Sequence, residues 1–233
     1  MSIRLAPTSD VLQQISQTHV PSSQRPASTQ SQRPISGWAL QRETIAHGLP
    51  TGGHWFWTQD PMLEHVKEHG GVSLSWEKTV KGTRFFAVYD SQRDFYDNLL
   101  KLTAGKRYSY ELIRVGSVCR NYADIEWIGD RDDNHTKIRV LIQKIRDFTE
   151  REFKIKPALY VCCSSREKDG CYKNSYHVVF RDLHYENNHG GPMKRFWNDL
   201  CLELDSEEWK CPTDKKNIID LSVYTKNRNM RLP

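Results

Sequence analysis

The stretch with the clearest chemical potential runs from Cys119 to Trp127 and holds two carboxylates, Asp124 and Glu126, with one residue between them. Its aromatic and β-branched residues, uninterrupted by glycine or proline, predict a strand. Side chains alternate along a strand, so both carboxylates point to the same face. They repel each other unless a cation lies between them, and Mg²⁺ or Mn²⁺ prefers such oxygen ligands. Taken alone, the triplet is better explained as an exposed polar strand face.

Two later stretches add matching polar groups. The strand predicted at 173–180 places Lys173, Ser175 and His177 on one face, and the last predicted strand, 218–224, carries Asp220 among apolar residues. A carboxylate in that setting is costly unless it is exposed or bound to something. On one sheet, three carboxylates facing a lysine, a serine and a histidine would suit phosphoryl transfer from a nucleoside triphosphate. Individually, His177 and Lys173 are better explained as ordinary structural or solvated side chains.

Composition limits the kinds of partner and cellular setting that this protein can have. The chain has 233 residues, 27% charged and 11% aromatic, with a formal charge of +5, which permits contact with a nucleic-acid backbone without requiring it. No segment has the length and apolar character of a membrane span or a secretory signal, so no membrane partner is expected. The six cysteines form no C-x-x-C pair, so buried or idle thiols in a reducing compartment are a better interpretation than a zinc site.

Three regions are expected. Residues 1–35 are rich in Ser, Gln and Pro and predict a disordered tail. The division of the remaining chain into an N-terminal mixed module at 36–105 and a catalytic module at 106–233 is what the family resemblance described below implies. Hydrophobic periodicity and capping residues predict helices near 61–69, 91–102, 135–153 and 192–204, and strands near 82–89, 107–115, 119–127, 158–163, 173–180 and 218–224. The strands at 107–115 and 119–127 are expected to form a hairpin through Gly116 and Ser117.

In this order, Asp124-x-Glu126, Ser175-x-His177 and Asp220 resemble the three motifs of the archaeo-eukaryotic primase superfamily. The phrase Asp220-Leu-Ser-Val-Tyr-Thr-Lys-Asn-Arg-Asn-Met-Arg-Leu232 is similar to one that is characteristic of its primase-polymerase (PrimPol) branch. The resemblance covers roughly residues 80–233.

This resemblance implies an α+β primase fold: a small N-terminal mixed module followed by an RRM-like antiparallel sheet backed by helices. It implies template-directed DNA primase and polymerase activity with Mg²⁺ or Mn²⁺, in DNA replication or damage tolerance. By motif, the metal ligands would be Asp124, Glu126 and Asp220, the triphosphate contacts Lys173, Ser175, His177 and Arg231, and the nucleic-acid contacts Arg228 and Arg42.

The implied partners are single-stranded DNA template and primer, nucleoside triphosphates and a single-stranded-DNA-binding protein. The implied setting is the nucleus or mitochondrion of a eukaryote, or a viral replication site in a host cell. The chain stops directly after the third motif, where the family continues with more strand and often a zinc module. A C-terminal truncation, and extension rather than priming, are therefore expected.

Two alternatives stay open. A metal-dependent nuclease could use the same carboxylates, but it would leave Lys173, Ser175 and His177 without a role. A non-catalytic module that binds single-stranded nucleic acid would explain the abrupt C-terminus but not the intact carboxylates.

Overall fold

The computed structural model describes residues 52–77, 84–103 and 109–231. The expected tail at 1–35 and the first part of the expected N-terminal module, residues 36–51, lie outside the described residues. Contacts divide the described chain into two units: one formed by residues up to Ile113 together with 229–231, and one formed by residues 114–228. The expected boundary was at 105/106. The difference arises because the strand at 109–113 pairs with strands that precede it. None of the helices in these residues is long and apolar enough to cross a membrane.

The first unit is an antiparallel sheet with one helix on each face. Its strands are β1 (His54–Phe56), β2 (Val72–Glu77), β3 (Arg84–Tyr89), β4 (Ser109–Ile113) and β9 (Arg228–Arg231), in the order β1-β3-β2-β4-β9. Helix α1 (Gln59–His69) buries Met62 and Val66 against one face, and helix α2 (Gln92–Leu99) buries Phe95 and Leu99 against the other. Ser91 caps α2 by accepting the Asp94 N–H, as the sequence predicted.

The second unit is built on a four-stranded antiparallel sheet. Its strands are β5 (Cys119–Gly129), β6 (Leu159–Cys163), β7 (Arg166–Lys168) and β8 (Cys171–Tyr185), with β8 paired to β5 on one side and to β6 and β7 on the other. The chain next to Ile219 adds to the outer side of β5 through a single bridge to Ile125. The long strand β8 is therefore the central element of the sheet.

Two helices cover one face of this sheet. Helix α3 (Thr136–Phe153) begins and ends almost where its apolar spacing predicts, and helix α4 (Pro192–Glu203) begins at its proline. Phe196 of α4 packs edge-to-face against Phe148 of α3 and Phe180 of β8. Alternate residues of β5 and β8 point into this core, so the intervening residues point to the other face.

Two expectations about strands were wrong. The strand at 109–113 does not form a hairpin with β5, because β4 pairs with β2 in the first unit while β5 pairs with β8. Residues 218–224 do not form a strand either: after the bridge at Ile219, residues Leu221–Val223 form a 3₁₀ turn. Tyr224 then turns inward and its hydroxyl donates to the Tyr122 carbonyl at 2.8 Å, which ends any extended pairing.

Candidate active site

Strands β5 and β8 bring the first two motifs together. Asp124 lies directly opposite His177, and Glu126 lies opposite Ser175, in the antiparallel register. Lys173 is two residues before Ser175 and so shares its face. The core-facing neighbours Ile125 and Tyr176 are fully or nearly buried, which fixes this register, because a slip by one residue would turn the polar side chains into the core.

The third motif reaches the same place by a different route from the one expected. The Asp220 N–H donates to the Asp124 carbonyl at 2.9 Å, and the Glu126 N–H donates to the Ile218 carbonyl at 2.8 Å. Asp220 then caps the 3₁₀ turn, because its Oδ1 accepts the Ser222 N–H at 2.8 Å. A carboxylate among apolar residues is accommodated here by that backbone hydrogen bond. The lone bridge is enough to set Asp220 beside Asp124.

Asp124 is the most electrostatically strained carboxylate of the group. Its side chain is only 17% exposed, and its Oδ1 is buried with no hydrogen-bond partner in the part of the chain that the structure describes. Burial, and then the negative charges of Glu126 and Asp220, raise the pKa of Asp124 from 3.8 to about 6, against the opposing effect of Lys173 and Arg228. His177 Nε2 lies 3.6 Å from Asp124 Oδ1, which is too long for a hydrogen bond. Among the described residues, this buried carboxylate oxygen therefore has no compensating donor.

The neighbouring polar groups form a second layer of contacts. The Lys173 ammonium forms a close ion pair with Glu126. Ser175, which is almost fully buried, accepts a hydrogen bond at its Oγ from the Ser164 hydroxyl at 3.0 Å. Ser175 also donates its backbone N–H to the Ser165 Oγ at 2.9 Å. The lysine and the serine are thus held in place by the protein itself.

The donor types fit a hard divalent cation. In residues 52–77, 84–103 and 109–231, no three His, Cys, Asp or Glu side chains are already gathered around a common point, since Glu126 pairs with Lys173 and Asp220 caps its own turn. The orphaned Asp124 Oδ1 and the raised pKa of that carboxyl nevertheless indicate a position where positive charge would be stabilising. Asp124, Glu126 and Asp220 are the residues that could hold Mg²⁺ or Mn²⁺.

The other expected site residues divide into three cases. The Arg228 guanidinium is close enough for its charge to lower the pKa of Asp124, so it lies near the carboxylates, and its contact with primer or template stays a prediction. Arg231 ends strand β9, and the structure describes its backbone alone. Arg42 lies outside the described residues. The structure therefore brings together six of the expected residues, and Arg228 with them: Asp124, Glu126, Asp220, Lys173, Ser175 and His177.

Sequence reasoning missed the segment Ser164–Arg166, in which two serines join β6 to the first residue of β7. The Ser164 N–H donates to the Ser175 carbonyl at 2.8 Å, and the two serine hydroxyls described above bind Ser175 as well. Only the antiparallel register of β6 and β7 on β8 brings this segment to the site. The sequence signal was limited to polar residues directly after an apolar strand.

Comparison with known proteins gives no family for this chain. No protein-family model matches the sequence, and no curated protein is significantly similar to it.

Proposed function

We propose that this chain is a template-directed nucleotidyltransferase, a DNA primase-polymerase catalytic core that extends a primer 3′-hydroxyl with release of pyrophosphate. Its substrates would be nucleoside triphosphates on single-stranded DNA template and primer. Apart from the short strand β7, the chain order is strand–helix–strand–strand–helix, followed by the Ile219 bridge. The resulting sheet order is the Ile219 segment, then β5, then β8, then β6. This order supports the expected RRM-like module of a primase fold.

The observation that carries the proposal is the register of β5 on β8. It sets two carboxylates directly opposite the histidine and serine of another motif, with Asp220 hydrogen-bonded alongside. Acidic groups on one strand and triphosphate-binding groups on the next are what nucleotide transfer requires, because catalysis there depends on positioning and on neutralising charge.

Each group has a distinct role in the reaction. Asp124, Glu126 and Asp220 would hold Mg²⁺ or Mn²⁺, which supplies Lewis-acid activation of the attacking oxygen and charge neutralisation when bound. Lys173, Ser175 and His177 would bind and orient the triphosphate, so that the α-phosphate faces the carboxylates and the outer phosphates lie towards Lys173. Arg228 adds positive charge beside Asp124. Arg231 is proposed as a further triphosphate contact and Arg42 as a template contact.

The test is extension of a labelled primer on a single-stranded DNA template, with each divalent metal in turn. Asp124→Ala and Asp220→Ala should each abolish extension while far-UV circular dichroism stays unchanged. His177→Ala should mainly raise the KM for the nucleotide. Asp199→Ala is a matched control, because that carboxylate is half exposed on α4 and pairs with Arg195 on the same helix.

The products separate this proposal from its rivals. Longer strands and pyrophosphate are expected, whereas shorter strands would indicate a metal-dependent nuclease. Nucleic-acid binding without metal-dependent nucleotide binding would indicate a non-catalytic module. Full activity of Asp124→Ala would refute the assignment of the site. If extension is found, a single-stranded-DNA-binding protein is a proposed partner, at a nuclear, mitochondrial or viral replication site.

A further inference from the structure

Strand β7 brings an arginine to the face that carries the triphosphate-binding groups. Arg166 is the direct cross-strand partner of Lys173 in the β7–β8 pair. Directly opposed residues in an antiparallel pair point to the same face of the sheet. Lys173 shares its face with Ser175 and His177, so Arg166 extends this row of polar groups by one strand.

The guanidinium of Arg166 is held by a hydrogen bond to the backbone but forms no ion pair within the described residues. Its Nη1 donates to the Ser164 carbonyl at 3.3 Å, and its side chain is exposed. Within the described residues no carboxylate lies within ion-pair distance of it, whereas Lys173 is already paired with Glu126. Arg166 therefore carries a positive charge that no described carboxylate neutralises.

The backbone around Arg166 is shaped by the same serines that hold Ser175. The Ser175 N–H donates to the Ser165 hydroxyl, and the Ser164 carbonyl accepts from the Arg166 guanidinium. The Ser164 N–H still pairs with the Ser175 carbonyl, as in a regular ladder. This arrangement ties the guanidinium to Ser164, whose hydroxyl also donates to Ser175 Oγ.

We propose that Arg166 binds the outer phosphates of a nucleoside triphosphate and so distinguishes triphosphates from monophosphates at this site. The proposal rests on the proposed function. Asp124 lies opposite His177, whereas Lys173 precedes His177 by four residues on β8 and Arg166 lies opposite Lys173 on β7. Lys173 and Arg166 are therefore on the far side of Ser175 from Asp124 along the strand direction. A nucleotide with its α-phosphate at the carboxylates would extend its outer phosphates towards that side. A guanidinium suits them, because its planar donors can bind two phosphate oxygens at once.

The experiment compares the affinity for a deoxynucleoside triphosphate with the affinity for the corresponding monophosphate, by calorimetry with Mn²⁺ and without primer. Arg166→Ala should weaken triphosphate binding on the order of tenfold, the effect of losing one charge-assisted contact, and leave monophosphate binding unchanged. Arg166→Lys should restore part of the loss. Arg146→Ala is the matched control, because Arg146 is exposed on α3, which packs against the opposite face of the sheet.

The outcomes are distinguishable. Equal triphosphate affinity for wild type and Arg166→Ala would overturn the role of Arg166 while leaving the proposed function standing. Equal weakening of triphosphate and monophosphate binding would overturn it too, since a general loss indicates a structural role. Failure of the wild-type chain to bind any triphosphate with metal would overturn both proposals.

Discussion

Replacing Asp124 with asparagine should stabilise the metal-free protein at neutral pH. The carboxylate is mostly buried beside two other acidic groups, and its pKa is raised from 3.8 to about 6. The folded state therefore binds a proton more tightly than the unfolded state does. Stability from this group is full below pH 4 and is lost as the pH rises through 6. A shift of two units corresponds to about 3 kcal/mol, which asparagine relieves apart from the cost of burying its amide.

The assay is urea unfolding in the presence of EDTA, from pH 4 to pH 8, for wild type and Asp124→Asn. Subtracting the two unfolding free energies removes the titration of groups that both proteins share. The difference should be small at pH 4 and should favour the variant by about 2–3 kcal/mol above pH 6.5. Asp199→Asn, at an exposed position on α4, should show no comparable dependence on pH.

Adding Mn²⁺ at pH 7.5 extends the same experiment. A cation that binds only the folded state stabilises it, and once the cation concentration exceeds the dissociation constant, the gain grows with the logarithm of that concentration. Wild type should gain stability and Asp124→Asn should gain much less. A variant that is less stable than wild type without metal, or a difference that does not change with pH, would refute the idea of a strained carboxylate.

Three further predictions concern the fold and are tested by urea or thermal unfolding. Gly71→Ala should lower the free energy of unfolding by more than about 1–2 kcal/mol, because φ is 103° and a Cβ would lie 2.6 Å from a methyl group of Val88. Gly70→Ala, at φ 78° with open space around it, should lower it less. Equal losses of stability in the two variants would contradict the steric argument. Trp197→Phe should cost about 1–3 kcal/mol, because the indole N–H donates to the buried Asn121 Oδ1 at 2.7 Å; an unchanged midpoint would contradict this. Ser91→Ala should lower the free energy of unfolding by about 1 kcal/mol through loss of the α2 cap. An unchanged free energy of unfolding would mean that this cap does not contribute to stability.

The helices were the most predictable part of the fold. Helix α3 repeats apolar residues at helical spacing over 18 residues, and Pro192 and Ser91 mark the starts of α4 and α2. These signals are local, because they depend on periodicity and on capping of nearby N–H groups. Strands β3, β4, β5, β6 and β8 were predictable for the same reason, since alternation and β-branched composition are read within a few residues. The shorter strands β1, β7 and β9, and also β2, were not predicted.

Strand pairing was not predictable from the same signals. The short sequence separation between β4 and β5 favoured a hairpin, but β4 belongs to the first sheet, where it lies between β2 and β9. Residues 218–224 have strand composition, yet the hydrogen bond from Tyr224 to the Tyr122 carbonyl and the capping carboxylate of Asp220 turn the chain. Both outcomes depend on residues distant in sequence, which local patterns do not encode.

The sequence by itself determined which residues carry the candidate chemistry and which of them share a strand face, because the period of two follows from the backbone. Tertiary structure alone decided that Asp124 faces His177, that Asp220 joins them through a single bridge, and that Arg166 comes beside Lys173. It also decided the electrostatics, since the raised pKa of Asp124 arises from burial and from charges brought in by other segments. Burial and long-range register depend on how the whole unit packs, and residue types and spacing do not specify that packing.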